Sequence, residues 1–405
     1  MATIHIKDIG LIVDSRKLTL TTIMLVIGRQ SSGKSTFLKI LCFCRWLEKL
    51  IMISGDDTVS LYTHNLKFIN ELSTFYRLDK KLFFSEKSYI CYEGDAINIL
   101  LDDATKNVKI TRSKDFNSIK YNTKLSFIPS ERNLVSAIRN IDKSYKSSER
   151  DVLFNYIFEW GEAKDAYTPD HPRKLSFTDN MEYFNNGGSD FIRLIEENTL
   201  MPSFYASSGV QSAMPLDVMV DYLTSLVGQT ASFSKHDLTN TLLDLLGTDK
   251  LTPVNIEKIR SRGAYQSVQL FVEEPEQNLY PDSQKNIMLN MIDAILKARS
   301  KGKHESILVM TTHSPYILST LNVLIAASNA VAEKPNSEML KSITEKMPLP
   351  EVSEYSAYYI NVDGIFTDVI DRDLSMISGM ELDGVSDWVD DNIAAINNVL
   401  YGEEQ

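Results

Sequence analysis

The sequence predicts an α/β fold, and three short apolar segments are the main reason. Ile23 to Ile27, Val268 to Val272 and Ile307 to Met310 are almost continuously apolar, which is typical of strands buried on both faces. The first segment leads into a glycine-rich loop, the second into two glutamates and the third into Thr-Thr-His. Each predicted strand is therefore followed by residues that can bind a ligand or take part in catalysis.

The other elements follow from helical periodicity and from turn residues. Residues 83–128 are rich in Phe, Ile, Tyr and Val and predict an antiparallel β lobe. Pro, Asn and Gly residues at 164–188 predict a loop. The remaining predicted elements are helices over Thr36 to Leu50, 133–163, Leu216 to Leu226 and Ser283 to Arg299, and a hairpin over Asp190 to Tyr205. The sequence shows no sustained heptad pattern, so we expect no long coiled coil.

Composition places the chain among globular proteins and limits its partners. It has 405 residues, of which 43% are hydrophobic and 24% charged, and its net charge is −12. Residues 363–405, the acidic segment, hold eleven acidic residues and one basic residue. This segment either binds a basic partner, covers the protein's own surface or forms a solvated helix face. A protein that depends on phosphate-backbone contacts usually carries a large positive region instead.

The sequence contains no pattern typical of membrane insertion or export. No apolar run reaches the roughly 18–20 residues of a membrane span, and MATIHIKDIG has no basic segment leading into an apolar stretch. Cys42, Cys44 and Cys91 are too few for a disulfide framework or a four-cysteine zinc site. We therefore expect a cytoplasmic protein without a membrane partner.

The glycine-rich loop after the first strand matches the pattern GxxxxGK followed by Ser or Thr. Its residues are Gly28, Arg29, Gln30, Ser31, Ser32, Gly33, Lys34 and Ser35, and Thr36 follows them. The glycines let the backbone curl so that N–H groups face phosphates, and the following helix adds the positive end of its dipole. The loop predicts a nucleoside triphosphate site in which Lys34 reaches the β- and γ-phosphates and Ser35 binds Mg²⁺.

The ends of the other two apolar strands supply candidate catalytic residues. In a phosphate-loop protein one carboxylate holds the Mg²⁺ shell and the next polarises the attacking water. These roles fall to Glu273 and Glu274, although a surface glutamate pair is the plain alternative. His313 follows the third strand and is expected to approach the γ-phosphate, its alternative being a packing or capping histidine.

A small-residue turn forms the fourth candidate element. Ser207, Ser208 and Gly209, followed by Val210 and Gln211, can donate backbone and hydroxyl hydrogen bonds to an anion at a helix start. An ordinary helix cap is the alternative. The order of phosphate loop, small-residue turn, acidic strand and Thr-His strand favours the functional interpretation.

These four elements, in this order, resemble the ABC-type ATPases, in the branch that includes SMC-like, Rad50-like and OLD-family proteins. Residues 272–281 are similar to that branch's Walker B and D-loop, residues 311–315 to its His switch and residues 207–211 to its variant signature. In the family this signature contacts the γ-phosphate of ATP held by a second subunit. The resemblance therefore implies an ATP hydrolase that uses Mg²⁺ and forms a homodimer or higher homo-oligomer with composite ATP sites. Residues 127–132 lie where the family has its Q-loop but include no Gln.

The resemblance covers most of residues 1–330 and predicts an ATPase head of ABC type with an antiparallel β lobe and a helical insertion. The expected regions are lobe I with the P-loop and the β lobe (1–132), a helical and loop insertion (133–205), lobe II with signature, Walker B and His switch (206–330), and an acidic C-terminal region (331–405). The chain is too short for a long coiled-coil arm and shows no Toprim pattern after Leu318. What remains is similar to the stand-alone ATPase subunits of bacterial anti-phage systems such as PARIS and Septu.

Two functions remain open at this point. In the first, a nucleotide-driven dimer controls a partner effector, a nuclease or toxin, in anti-phage defence. In the second, the chain is a DNA-handling ATPase of repair or replication, like Rad50 or RecF, and needs a basic surface. The candidate basic residues, which equally suit a merely solubilising role, are Lys106, Lys109, Arg112, Lys114, Lys120, Lys124, Arg139, Lys143, Lys146 and Arg150. A membrane-transporter motor is disfavoured because the signature and the Q-loop glutamine are both altered.

Overall fold

The computed structural model describes residues 2–54, 56–114, 116, 122–139, 141, 145, 151–229, 264–371, 376–378 and 392–393. The strands are β1 (Thr3–Ile9), β2 (Ile12–Asp14), β3 (Leu18–Thr19), β4 (Ile23–Gly28), β5 (Tyr89–Glu93), β6 (Ile97–Leu101), β7 (Lys109–Arg112), β8 (Thr123–Ile128), β9 (Arg173–Lys174), β10 (Met181–Asn186), β11 (Ser189–Leu194), β12 (Thr199–Pro202), β13 (Ser267–Glu273), β14 (Ile307–Thr312), β15 (Tyr355–Ile360), β16 (Phe366–Asp368), β17 (Ile370–Asp371) and β18 (Met376–Ile377). The α-helices are α1 (Lys34–Ser54), α2 (Asp56–Tyr62), α3 (Lys67–Tyr76), α4 (Lys80–Phe83), α5 (Leu134–Ala137), α6 (Val152–Lys164), α7 (Ser208–Ser225), α8 (Pro281–Lys301), α9 (Pro315–Glu333) and α10 (Glu338–Thr344). Short 3₁₀ helices span Ser130–Asn133, Ser203–Tyr205 and Val352–Glu354.

A six-stranded sheet in the order β16-β15-β4-β14-β13-β8 forms the centre of the fold. All neighbouring strands are parallel except β15 and β16. The central strand β4 is buried at every position, because Met24 and Val26 enter the core beneath α1 and the β lobe, whereas Ile23 and Leu25 enter the core beneath α7, α8 and α9. The three predicted buried strands and the α/β class are confirmed. Carboxyl ends of parallel strands meet at one edge, so the residues after β4, β13 and β14 lie along the same edge.

The antiparallel β lobe packs beside this sheet, in the strand order β2-β1-β5-β6-β7 with β3 also paired to β1. All of its pairs are antiparallel, as the sequence predicts. One strand was assigned wrongly to the lobe: β8 lies in the central sheet, parallel to β13. The reason is burial, since five of its six residues are buried and a lobe strand would expose alternate residues.

The region between the two lobes holds α6 and a four-stranded antiparallel sheet in the order β12-β11-β10-β9. The predicted hairpin is confirmed by the pairing of β11 with β12. The predicted loop at 164–188 is wrong in part, because it contains β9 and β10. Gly187 and Gly188 have positive φ angles of 61° and 84° and join β10 to β11, so the turn residues there connect strands. Within the predicted helix 133–163, the described α-helical residues are those of α5 and α6 and Ile141.

None of the described helices is long enough to form an extended coiled-coil arm. Helices α1 and α8 have 21 residues each, and none of the described helices is longer. Helix α9, with a mean hydropathy of 1.3, is long and apolar enough to span a membrane by length and composition. Its buried residues Ile317, Leu321 and Ile325 belong to the core shared with α7 and α8, which is typical of a core helix.

Lys124, one of the candidate surface lysines, is buried. Its Nζ atom lies 2.5 Å from Oε1 of Glu159, and the two side chains are 0% and 5% exposed. Ser126 donates a hydrogen bond to the other oxygen of Glu159. The expectation of a basic surface residue is therefore wrong here, because β8 turns this side chain into the core against α6.

Replacing Lys124 with alanine is expected to lower the free energy of unfolding by about 3–5 kcal/mol, because it leaves the Glu159 carboxylate buried without its cation. Thermal or urea denaturation measures this effect. Lys109→Ala is the control, since its partner Asp102 is exposed and the pair is loose at 3.6 Å. Equal stability of the two variants would contradict the buried ion pair.

Candidate functional site

The loop between β4 and α1 turns sharply at two residues. Ser31 and Gly33 have positive φ angles of 58° and 103°. A Cβ atom on Gly33 would lie 3.0 Å from Cγ1 of Ile12, so the loop packs against β2 as well as turning sharply. The predicted phosphate loop thus has the strand before it and the 21-residue helix after it that the binding of phosphates requires.

Lys34 lies at the start of α1 and holds the loop closed. Its Nζ atom donates hydrogen bonds of 2.7 Å to the carbonyl oxygens of Gly28 and Arg29. Burial lowers the pKa of the Lys34 ammonium, and the carboxylates of Glu274 and Glu276 oppose that shift. The Lys34 ammonium is therefore held against the carbonyl groups at the start of the loop.

A cavity of about 520 Å³ opens over this loop. Its polar side is formed by residues 30–36 and by Glu274, and its apolar side by Leu11, Leu82 and Phe83. Ser32 Oγ is buried without a hydrogen-bond partner among the described residues. The volume is in the range of roughly 300–1,000 Å³ that small-molecule sites occupy. The polar end of the lining suits the phosphates of a nucleotide, and the apolar end suits its purine or pyrimidine base.

Glu273 ends β13 with one carboxylate oxygen satisfied and one not. Oε2 accepts a hydrogen bond from the N–H of Ser130 at 3.1 Å, while Oε1 is buried without a partner among the described residues. The side chain is only 3% exposed. A free buried carboxylate oxygen and the hydroxyl of Ser35 are oxygen ligands of the kind Mg²⁺ prefers. The residues present therefore fit the predicted cation.

Glu274 is the next residue and adopts a strained backbone. Its φ angle is 42°, in the left-handed region that non-glycine residues rarely occupy. Its N–H donates to the carbonyl of Thr311 at 2.9 Å, which ties the end of β13 to β14. Strain of this kind costs about 1–3 kcal/mol and tends to occur at functional sites. The conformation brings the carboxylate to the cavity that contains the phosphate loop.

His313 lies beside Glu274 rather than on the cavity wall. Its Nδ1 atom is 3.6 Å from Oε1 of Glu274 and 3.5 Å from Oε1 of Glu276. Glu276 is 5% exposed and accepts hydrogen bonds from Thr312 Oγ1 at 2.7 Å and from the His313 N–H at 3.0 Å. Glu276 therefore holds the end of β14 and His313 in place. The sequence pattern assigns it no role, although it lies only two residues after Glu274.

The small-residue turn lies at the N-terminus of α7, outside the cavity of its own chain. Ser207 and Ser208 are exposed. Ser207 takes the N-cap position, but its side chain makes no capping hydrogen bond, which weakens the alternative of an ordinary cap. A Cβ atom on Gly209 would lie 2.8 Å from the carbonyl oxygen of Asn278, so glycine lets α7 touch the loop after Glu276.

The loop after β8, where no glutamine is present, contributes Arg132 instead. Its side chain is fully buried and contacts the backbone of Glu273 and Glu274. Burial lowers the pKa of the Arg132 guanidinium, and among the charges that oppose this shift are the carboxylates of Glu276, Glu274 and Glu273. The sequence pattern gives no role to Arg132, because these contacts are to main-chain atoms.

Comparisons with known proteins give fold neighbours at low similarity. No protein-family model and no curated protein matches the chain. The chain is similar to the SMC head domain from Thermotoga maritima, with 10% identity and a TM-score of 0.36 over 91% of this chain and 97% of that one. It is similar to an SMC head bound to the C-winged helix domain of ScpA, with 10% identity and a TM-score of 0.37 over 91% and 96% of the two chains. A third similar structure, the recombination mediator protein RecF, has 11% identity and a TM-score of 0.33 over 91% and 97%. The interpretation of the site rests on its own geometry.

Proposed function

We propose that this protein binds ATP with Mg²⁺ and hydrolyses it. The observation that carries the proposal is one cavity, at the carboxyl edge of the parallel sheet, that joins the phosphate loop to Glu274. Hydrolysis needs a cradle for phosphates and a carboxylate that can take a proton from water, and this cavity offers both. Release of phosphate by the purified protein, with and without Mg²⁺, tests the proposal, and no turnover in either condition would contradict it.

Each residue of the site has a distinct part in this reaction. Loop N–H groups and the N-terminus of α1 bind the phosphates, and the Lys34 ammonium turns from the carbonyls of the loop to the β- and γ-phosphates. Ser35 and Glu273 would hold Mg²⁺, which supplies neutralisation of phosphate charge. Glu274 accepts the proton of the attacking water, and His313 stabilises the terminal phosphate from the adjacent strand end.

The active site is proposed to be completed by a second copy of the chain. Ser207 and Ser208 are exposed and do not line the cavity of their own chain, so their N–H and hydroxyl groups are free to reach a neighbour's ATP. A two-fold arrangement would make two identical sites, because the same pair of surfaces is used twice. Closure then depends on the γ-phosphate, which both subunits contact.

This ATP-dependent closure is proposed to act as a switch on a partner effector in bacterial anti-phage defence. The proposal is supported by the resemblance of the motifs to those of stand-alone defence ATPases. This is an inference by analogy with a family. The acidic segment is the proposed contact for a basic partner, and most of it lies outside the described residues. The test is copurification with the product of a neighbouring nuclease or toxin gene, in the presence and absence of ATP.

The DNA-handling alternative has less support on the described surface. Lys106 and Lys109 pair with Asp103 and Asp102, and Lys124 is buried. Lys120, Lys143, Lys146 and Arg150 lie outside the described residues. DNA binding that weakens steeply as salt rises would favour this alternative, because phosphate contacts release counterions.

Ser208→Arg is expected to abolish ATP hydrolysis while leaving ATP binding by the monomer close to normal, because the bulky side chain blocks the partner. Mixing it with Lys34→Ala protein should restore part of the activity. Each mixed dimer then keeps one site, with a sound P-loop from one chain and a sound signature from the other. Phosphate release by the two inactive proteins, alone and mixed, is the measurement.

Ser300→Arg is the matched control, since Ser300 is an exposed serine near the far end of α8. It should hydrolyse ATP normally. Mixed dimers that form but remain inactive would argue against composite sites. A fully active Ser208→Arg protein would show that the small-residue turn is not part of the ATP site.

A further inference from the structure

Arg132 makes a three-way contact in the centre of the protein. Its Nη1 atom donates to the carbonyl of Glu273 and its Nη2 atom to the carbonyl of Glu274, both at 2.7 Å. Its Nε atom donates to the carbonyl of Ser212 on α7 at 3.1 Å. The guanidinium therefore joins the proposed metal ligand Glu273 and the proposed base Glu274 to the helix that carries the small-residue turn.

Ser212 makes this connection short. It is four residues after Ser208, so the two lie one above the other on the same face of α7, about one helical turn apart. Ser212 is fully buried, and its hydroxyl accepts a second hydrogen bond from Asn278 Nδ2 at 3.1 Å. One turn of helix thus separates the exposed Ser208 from a contact with Arg132 and from a contact with the loop at 274–280, which we call the acidic loop.

The backbone at Glu274 needs such support. Its left-handed φ of 42° persists only if the surroundings hold it. Three hydrogen bonds restrain its backbone: its N–H donates to Thr311, and its carbonyl accepts from Arg132 at 2.7 Å and from the N–H of Gln277 at 3.1 Å. A planar guanidinium donates in fixed directions and so fixes the positions of the three carbonyl groups relative to each other, whereas the rotatable N–H groups of a lysine on a flexible stem do not.

We propose that Arg132 is a positioning residue: together with Ser212 it ties the backbone of Glu274 to α7, and so holds the carboxylate of Glu274 in place for the ATP bound by the same chain. The inference rests on the proposed function. It gives the loop after β8 a role through the backbone.

The first test is Arg132→Lys in the homodimer. ATP affinity and ATP-dependent dimer formation should stay close to the wild-type values, while kcat falls on the order of 10²-fold, since a small misplacement of a catalytic group has that effect. Arg173→Lys is the matched control, because Arg173 is a largely buried arginine that contacts α7 through Asp217 but not the acidic loop.

The second test places Arg132→Lys in one chain of the mixed dimers described above. In the Ser208→Arg chain, which holds the working P-loop, the change should remove the restored activity. In the Lys34→Ala chain, which supplies only the signature, the activity should persist. A purely structural role would make both placements equally harmful, and that outcome would overturn the inference.

Ser212→Ala serves if Arg132→Lys does not fold, as judged by thermal denaturation. It removes the hydroxyl contact with Asn278 and keeps the carbonyl contact with Arg132, so a partial fall in kcat with unchanged ATP affinity is expected. Wild-type kcat in this variant, or in folded Arg132→Lys, would overturn the inference. Absence of ATP hydrolysis by the wild type would instead overturn the proposed function, and the inference with it.

Discussion

Replacing Lys34 with alanine is expected to abolish ATP hydrolysis, with a fall in rate on the order of 10²-fold or more, because a preorganised positive charge on the transferred phosphate is lost. The structure adds a second reason. The Lys34 ammonium is also what bridges the carbonyl groups of Gly28 and Arg29, so the loop loses its closing contact. Both phosphate release and binding of a fluorescent ATP analogue should fall.

The control for this variant is Lys39→Ala. Lys39 lies on the same helix, five residues further along and only partly exposed, and it does not line the cavity. It should bind and hydrolyse ATP as the wild type does. Lys34→Ala protein with normal turnover would show that the phosphate-loop interpretation is wrong.

Glu274→Gln is expected to bind ATP normally and to hydrolyse it roughly 10²–10⁴-fold more slowly, because the amide keeps the shape and loses the base. With hydrolysis blocked, ATP should hold two chains together. Light scattering with and without ATP should therefore report a stable dimer only with ATP. The strained backbone is unchanged by this substitution, so folding stability should be close to that of the wild type.

The matched control is Glu305→Gln. Glu305 is exposed and lies just before β14, at the end of the sheet opposite to the cavity. Its turnover and its oligomeric state should match the wild type. A Glu274→Gln protein that stays monomeric with ATP, or that hydrolyses it at the normal rate, would reject Glu274 as the base.

The sequence predicts where the candidate residues lie when they directly follow an apolar strand. The phosphate loop, the two glutamates and the Thr-His sequence each follow an apolar strand, and the structure brings those strand ends to one edge. The contact that the sequence could not predict is Arg132, because a side chain bound to carbonyl groups has no partner residue type to search for. The role of Glu276 could not be predicted either, because its partners Thr312 and His313 lie at the end of a different strand.

Strand β15 and the first two turns of α7 are not predicted, because their local sequence patterns are misleading. Strand β15 reads YSAYYI, whose tyrosines and serine do not form a simple apolar run, yet it is buried throughout beside β4. Helix α7 begins eight residues before the predicted start, because it continues through Pro215, a residue that normally marks a helix boundary. In both cases tertiary packing outweighs the local pattern.

The position of β4 between β14 and β15 has a consequence for synthesis of the protein. Its residues 23–28 leave the ribosome early, but their neighbours in the sheet are residues 307–312 and 355–360. Such distant pairings form slowly and late. The framework of the phosphate loop is therefore incomplete until residue 360 has been made. A nascent chain should be unable to hold ATP over most of its translation, and no half-made subunit should close on a finished one.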